Sequence, residues 1–438
     1  MLNRLLVLML LSVIVLTSSI RRIANYRHYV ALGVAIVSIS LGLLPLNKVL
    51  NYVDVDVIGL IIGMSIMTIF IELSGLAEFL ALTISKYVRK PSLIILSLSL
   101  TAGIISIALE NVSVVLIMAP IAFALASKLK IDPKVMIIGI ALASNLSGSA
   151  TMIGDPQAII TAGYFRLAFG DFIVYGGKPS MFFFTLAALI LACLSLAFIA
   201  RTKYLKSNHN GNIRTDTMSE VRREFDKTYI LETVLFLSVK IILLTFRNEL
   251  GIPLSFAAFI AITGLSITRL TLHRDVKSVV NALKGGFEWR VAMFLIGVFT
   301  IAGSFSEQGL ANDLAKLIYF IGDDNLFLIT STLVWISVLA SAFIDNVPYI
   351  ATMLPVVEGL QRMLNVDPIV LAWALLLGAT LGGNLTFIGA SANVVAVRLL
   401  EKKGFQTSFI EFTKLSIPFN TVSVLSGWLL YELTWILT

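Results

Sequence analysis

The sequence predicts an all-α polytopic membrane protein of two inverted repeats, each with about five transmembrane helices, one of them broken, and one re-entrant hairpin. Three observations carry that expectation. Apolar residues make up 58% of the chain and charged residues 13%, a balance that a water-soluble fold could not bury. A set of motifs recurs at one fixed spacing. Each copy also contains an odd number of crossings, so the second copy must enter the membrane from the opposite face.

Stretches such as 179–200 and 326–344 hold no charged side chain and are long enough as helices to cross, or nearly cross, a hydrocarbon core of about 30 Å. Apolar runs bounded by charge, Gly and Pro give candidate spans at 4–20, 28–46, 55–73, 132–163 and 179–200, then at 229–246, 253–272, 290–306, 369–399 and 414–436. Residues 1–20 have two readings, a signal peptide or a retained first helix. The S-S-I-R run at 18–21 is a poor cleavage site, which favours retention. Between the third and fourth spans of each half lie 91–129 and 326–362, interrupted by Glu110-Asn111 and Asp345-Asn346, and these are read as re-entrant hairpins. The first repeat is then 1–203, the second 229–438, and 204–228 is a polar, basic tether.

Charge placement tests this layout. With the N-terminus outside, inner loops carry Arg21, Arg22, Arg27, Lys86, Arg89, Lys90, Lys128, Lys130 and Lys134, and later Arg269, Arg274, Lys277, Lys284, Arg290, Arg398, Lys402, Lys403 and Lys414. The tether is basic too, whereas the outer side holds Arg4, Lys48, Arg166, Lys178, Arg247, Lys316 and Arg362, and Lys240 falls inside a span. The positive-inside bias therefore predicts both termini outside and the central loop in the cytoplasm of a cell-membrane protein. Because the net charge of +7 is spread over short loops, it reports orientation rather than a nucleic-acid surface.

Asn111 and Asn346 lie 235 residues apart, as do Pro120 and Pro355, Asp132 and Asp367, and Gly154 and Gly389. Duplication is the economical explanation. Asp132-Pro133 and Asp367-Pro368 look like helix starts. Segments 76–90 and 309–322 mix charge with apolar residues after a span and read as interfacial amphipathic helices. Glu72, Glu78 and Glu307 read as solvated groups at span ends.

The chemistry is expected where apolar helices are interrupted. Ser144, Asn145, Ser147, Ser149 and Thr151 precede Gly154-Asp155-Pro156, and Gly383-Asn384-Leu385-Thr386 precedes Gly389-Ala390-Ser391-Ala392-Asn393. Gly and Pro weaken the helical ladder and free backbone groups that lipid cannot satisfy, so such breaks belong around protein-lined cavities. Close helix packing is the competing reading. Two matched polar copies favour a binding site. Carboxylates at the hairpin tips, Glu110 and Asp345, would cost about 2.5 to 3.5 kcal/mol as ions at membrane depth, a cost that proton or Na⁺ coupling would use. Asp155 has two roles open to it, ligand or cap of the following half-helix.

These residues resemble the ArsB/NhaD group of the Ion Transporter superfamily, and most closely its P-protein (pink-eyed dilution) type permeases. The motifs are S-N-L-S-G-S-A-T-M-I-G-D-P at 144–156, S-A-F-I-D-N-V-P-Y-I-A-T-M-L-P at 341–355 and L-G-G-N-L-T-F-I-G-A-S-A-N-V-V at 381–395. The resemblance implies a scaffold and a moving transport domain, usually in a homodimer. Its implied solute and ion site comprises Glu110, Asn111, Ser144, Asn145, Ser147, Ser149, Thr151, Asp155, Asp345, Asn346, Asn384, Thr386, Ser391 and Asn393. A coupling Na⁺ would draw on Asn111, Asn145, Asp345, Asn346 and Asn384, with H⁺ as the other coupling ion and no cofactor. The group commonly reads G-D-P-P-N where this chain has Gly154-Asp155-Pro156-Gln157-Ala158. Its members suggest arsenite or antimonite efflux or Na⁺/H⁺ antiport of a small inorganic solute, with a passive anion channel or a citrate/dicarboxylate symporter as alternatives. The absence of Arg or Lys near the centres of the broken helices argues against a highly charged anion. An intramembrane hydrolase would need a nucleophile and base such as Ser with His, and His28, His209 and His273 read as lying in or beside polar connections.

Overall fold

The computed structural model describes residues 1–19, 23–85, 90–129, 131–204 and 225–437. Arg21, Arg22, Lys86, Arg89, Lys130 and most of the expected tether at 204–228 lie outside the described residues.

The first half runs through α1 (Leu2–Ser19), α2 (Arg27–Ser40), α3 (Val55–Ser74), α4 (Leu76–Ser85), α5 (Pro91–Ser106), α6 (Asn111–Leu129), α7 (Lys134–Ser147), α8 (Pro156–Tyr164) and α9 (Met181–Ile199). The second runs through α10 (Lys227–Thr245), α11 (Leu254–Leu272), α12 (Val276–Gly286), α13 (Trp289–Glu307), α14 (Leu310–Gly322), α15 (Leu326–Ser341), α16 (Asn346–Leu364), α17 (Pro368–Gly382), α18 (Ser391–Lys402) and α19 (Phe409–Trp435). A two-residue hairpin, Val174–Tyr175 against Lys178–Pro179, is the described β structure.

Local chemistry sets the boundaries. Asp54 caps α3 through the Val57 amide at 2.9 Å, and the helix ends on left-handed Gly75. The expected helix starts at the two Asp-Pro pairs are present: Asp132 accepts from the Lys134 amide at 2.8 Å, and Asp367 from Ile369 at 2.9 Å with Pro368 in the first turn. Each presumed broken span is two helices, with 148–155 between α7 and α8 and 383–390 between α17 and α18. The 235-residue spacing is reproduced in the element bounds: α5 and α15, α6 and α16, and the starts of α8 and α18 match residue for residue.

Among the described residues, six helical stretches are long and apolar enough to cross a membrane: Val55–Ser74, Asn111–Leu129, Met181–Thr202, Lys227–Thr245, Leu254–Leu272 and Val276–Glu307. The first hairpin arms, α5 and α15, have 16 residues each, about 24 Å of helix, which is short of a ~30 Å core. The segment 276–286 was not among the expected spans. It folds as α12 because Val279, Ala282 and Gly286 form one apolar face, which packs on α3 while its lysines face outward.

Two sub-bundles result. In one, α2 packs on α13, α3 on α11 and α12, and α10 on α11. In the other, α5 packs on α7, α15 on α17 and α9 on α19, while α18 crosses from the second half to lie on α6 and α7. The arms α4 and α14 pack on hairpin helices of the second sub-bundle, as the interfacial reading of 76–90 and 309–322 anticipates helices there. Glu307 is not merely solvated: it accepts from Lys48 Nζ at 2.6 Å and Tyr52 Oη at 2.8 Å.

At one close seam α15 packs against α17. A Cβ on Gly382 would stand 2.3 Å from the Val338 carbonyl oxygen and 2.5 Å from its Cα. Backbone cannot yield as a side chain can, so Gly382→Ala is expected to lower stability by about 1–3 kcal/mol. Gly33→Ala, where nothing lies within 4 Å, serves as the neutral control, and thermal unfolding of the purified protein in detergent compares the two.

Candidate functional site

Each hairpin turns through four residues, 107–110 and 342–345, and each turn is pinned by the same atoms. Thr151 Oγ1 donates to the Ile107 carbonyl at 2.6 Å, and its repeat mate Thr386 donates to Ala342 at 2.6 Å. Ser106 donates to Asn111 Oδ1 at 2.7 Å, and Ser341 makes the equivalent bond to Asn346. Gly154 and Gly389 let the unwound segments return against the tips: a Cβ on Gly154 would meet the Gly148 and Ser106 carbonyls at 2.4 and 2.7 Å, and one on Gly389 the Ser341 and Gly383 carbonyls at 2.6 and 2.8 Å.

Between the two breaks runs a chain of buried amides. Asn111 Nδ2 donates to Asp155 Oδ2 at 3.1 Å and to Asn145 Oδ1 at 3.4 Å. Asn145 Nδ2 crosses to Asn384 Oδ1 at 3.0 Å, which also accepts from Asn393 Nδ2 at 3.3 Å. Asn384 Nδ2 returns to the Leu142 carbonyl at 2.8 Å. One polar line therefore joins the first half's carboxylate to the second half's amides. Asp155 precedes α8 but makes no capping bond from its side chain. Its carboxylate instead takes Asn111 and Gln157, the latter at 3.2 Å. Gln157 Nε2 also reaches Ser149 Oγ at 2.9 Å and Thr380 Oγ1 at 3.0 Å. Two buried amide oxygens, Gln157 Oε1 and Asn393 Oδ1, find no donor among the described residues.

In front of this line is a cavity of about 460 Å³ that both sub-bundles wall. Of the residues expected from sequence, Glu110, Asn111, Asn145, Asp155, Asp345, Asn346 and Ser391 line it. Asn384, Asn393 and Ser149 stand one layer behind, and Thr151 and Thr386 tie the tips. Ser144 is turned to its own helix, donating to the Ala141 carbonyl at 3.0 Å, and the buried Ser147 hydroxyl has no hydrogen-bond partner among the described residues. The oxygen-rich set of carboxylates and amides suits a hard cation such as Na⁺.

Sequence reasoning missed the opposite wall. Arg27, His28, Glu288 and Arg290 reach the cavity from the first sub-bundle, and Arg398 from α18. Arg27 Nη1 meets Asp345 Oδ2 at 2.9 Å and lies over the Phe294 ring, 4.8 Å from its centroid. So the lack of Arg and Lys within the breaks does not make the cavity free of cations. His28, beside the connection that precedes α2, is 4% exposed and packed against Tyr29 and Trp289. Arg27 and His28 open an apolar helix, where a charge reads as a loop group. Gln157 left a signal, its departure from the commoner proline.

An uncharacterized transporter of Mycobacterium tuberculosis is 31% identical over 383 residues, covering 85% of this chain and 84% of its own. The P protein of Homo sapiens is 26% identical over 458 residues, covering 87% of this chain and 54% of its own, in keeping with the P-protein resemblance of the motifs. Among solved structures, MtrF of Neisseria gonorrhoeae, described within a class of antimetabolite efflux pumps, superposes with a TM-score of 0.64 at 14% identity, covering 92% of this chain and 85% of its own, a likeness of fold. The family profile described as a citrate transporter, CitMHS, matches residues 7–378. With most of its length inside that match, this multi-pass membrane transporter belongs to the citrate transporter family.

Proposed function

We propose that the chain is a secondary active transporter that moves a small carboxylate-bearing anion together with Na⁺ or H⁺ through the cavity between its sub-bundles. The observation that carries this reading is the composition of the cavity wall: tip carboxylates and amides on one side, and the guanidiniums of Arg27 and Arg290 on the other. Oxygen ligands at Glu110, Asp155 and Asp345 accept a coupling cation, and the arginines accept a carboxylate. The family name points to the same solute class. Arsenite or antimonite efflux and Na⁺/H⁺ exchange, which the motifs also suggest, would give Arg27 and Arg290 no anionic solute to bind.

The two halves are read as oppositely oriented copies. The sub-bundle of hairpins and broken helices is the moving domain, which slides as an elevator against a scaffold of α1–α3 and α10–α13, with the scaffold also holding a homodimer. Supporting this division, the hairpins, the breaks and the amide line all lie within one sub-bundle. Ser18, Asn25 and Arg290 line the cavity beside loops that the positive-inside count assigns to the cytoplasm, so the cavity opens inward in this arrangement. The chain sits in the cell membrane with both termini outside.

Proteoliposomes offered citrate, dicarboxylates, arsenite, Na⁺, Li⁺, silicic acid and chloride decide the solute. Carboxylate uptake accelerated by a Na⁺ or pH gradient is expected, and Asp345→Asn and Glu110→Gln should each lower the coupled rate about tenfold or more, or about 1.4 kcal/mol in the barrier. Flux that follows the solute's own gradient alone, indifferent to both ions and both substitutions, identifies a channel and sinks the proposal.

A second prediction separates the amide line from its neighbours. Asn145→Ala strips the buried Asn384 Oδ1 of its shorter donor, and about 1–3 kcal/mol of stability should be lost. Ser144→Ala removes only a bond to its own helix and should change stability by less than about 1 kcal/mol. Thermal unfolding reads both.

A further inference from the structure

We propose that the Arg27–Asp345 ion pair is the coupling element of this transporter, each charge serving as the other's partner until a solute carboxylate takes Arg27 and a cation takes Asp345. The inference rests on the transport reading above and adds to it the residue pair that links the two cargoes.

The pair spans the sub-bundles. Arg27 opens α2 in the scaffold, and Asp345 ends the turn between α15 and α16. Their contact is 2.9 Å, with the two side chains 35% and 20% exposed. Asp345 Oδ1 is taken by the Val347 amide at 3.1 Å, which leaves Oδ2 for the guanidinium. Among the described residues neither charge makes a second ion pair. Other charged groups face the same space: Glu110 and Glu288 lie in electrostatic reach of Arg27, Asp155 in reach of Asp345, and Arg290, Arg398 and His28 share the cavity wall.

Removing one member of a half-buried pair leaves the other charge unmatched in a poorly solvating site. An anion that captures Arg27 alone strands Asp345, and a cation or proton that captures Asp345 alone strands Arg27. Both together strand neither. Each cargo therefore tightens the binding of the other, and by linkage the two factors are equal. The same pair joins the moving domain to the scaffold, so loading with both cargoes also removes one contact that the movement must break.

The test uses the full-length protein in nanodiscs, with citrate as the anion and Na⁺ as the cation against a choline control, read by direct binding and by thermal stability. Citrate should tighten Na⁺ binding about 5- to 150-fold, and Na⁺ should tighten citrate binding by the same factor. In Arg27→Gln citrate binding weakens, Na⁺ binding strengthens, and the mutual factor falls to one. Without Na⁺ linkage in the native protein, the same titration is run with protons, and absence of linkage to both cations overturns the proposal. So does an Arg27→Gln variant that keeps the native factor. Arg27→Asp combined with Asp345→Arg guards against misfolding: the double exchange should recover thermal stability lost in each single change, and strict additivity counts against the pair. Coupled flux with an unaltered factor in Arg27→Gln defeats the latch alone, whereas absence of any coupled flux defeats the transport reading.

Discussion

A chain that unwinds inside a hydrocarbon layer has to satisfy every freed amide and carbonyl from its own groups, because lipid offers none. The rest of this architecture follows from that constraint. Two helices are interrupted, at 148–155 and 383–390, and each interruption is placed where a hairpin turn can share its hydrogen bonds. Thr151 and Thr386 bind the carbonyls of the opposing turns. The breaks and the tips are therefore one unit, and neither is stable at that depth without the other.

That unit was legible in the sequence to the extent that its constraint writes itself into residue types. Glycine and small polar residues inside an apolar run, repeated 235 residues later, are hard to place except around such a break, and the carboxylates at the tips followed from the same spacing. What was not legible came from the other sub-bundle. Arg27 reaches the cavity because α2 packs on α13, a contact between residues far apart in sequence with no local pattern to announce it. The burial of His28, which stands beside a polar connection as its neighbours indicate, was hidden for the same reason: Tyr29 and Trp289 pack against its ring. Ser144 erred in the other direction. Its place in the motif suggested a ligand, but its hydroxyl has a carbonyl one turn back within reach, as helical serines commonly do.

Duplication gives two equal frames, yet the charges in them are satisfied differently. In the first half, Asp155 takes both of its donors, Asn111 and Gln157, from its own sub-bundle. Gln157 Nε2 stands within hydrogen-bond distance of Asp155 Oδ2, Ser149 Oγ and Thr380 Oγ1, acceptors among which its two N–H groups are shared. In the second half the positions of Asp155 and Gln157 are Ala390 and Ala392, so the carboxylate there is the tip residue Asp345, the repeat mate of Glu110, and its charged partner is Arg27 in the other sub-bundle.

This difference has a mechanical consequence. A rigid displacement of one sub-bundle against the other leaves every bond of Asp155 intact, because all of its partners travel with it. The same displacement breaks the Arg27–Asp345 contact, because its ends belong to different bodies. Among the described residues, then, Asp345 is paired across the two bodies and Asp155 is not. The departure from the commoner P-N pair to Gln157-Ala158 reinforces the split, since it gives the first carboxylate an internal donor and removes the side-chain amide at 158. The first half thus holds Asp155 within one sub-bundle, whereas the second holds Asp345 against Arg27 across two, so Asp345 Oδ2 is the carboxylate oxygen that such a displacement would free.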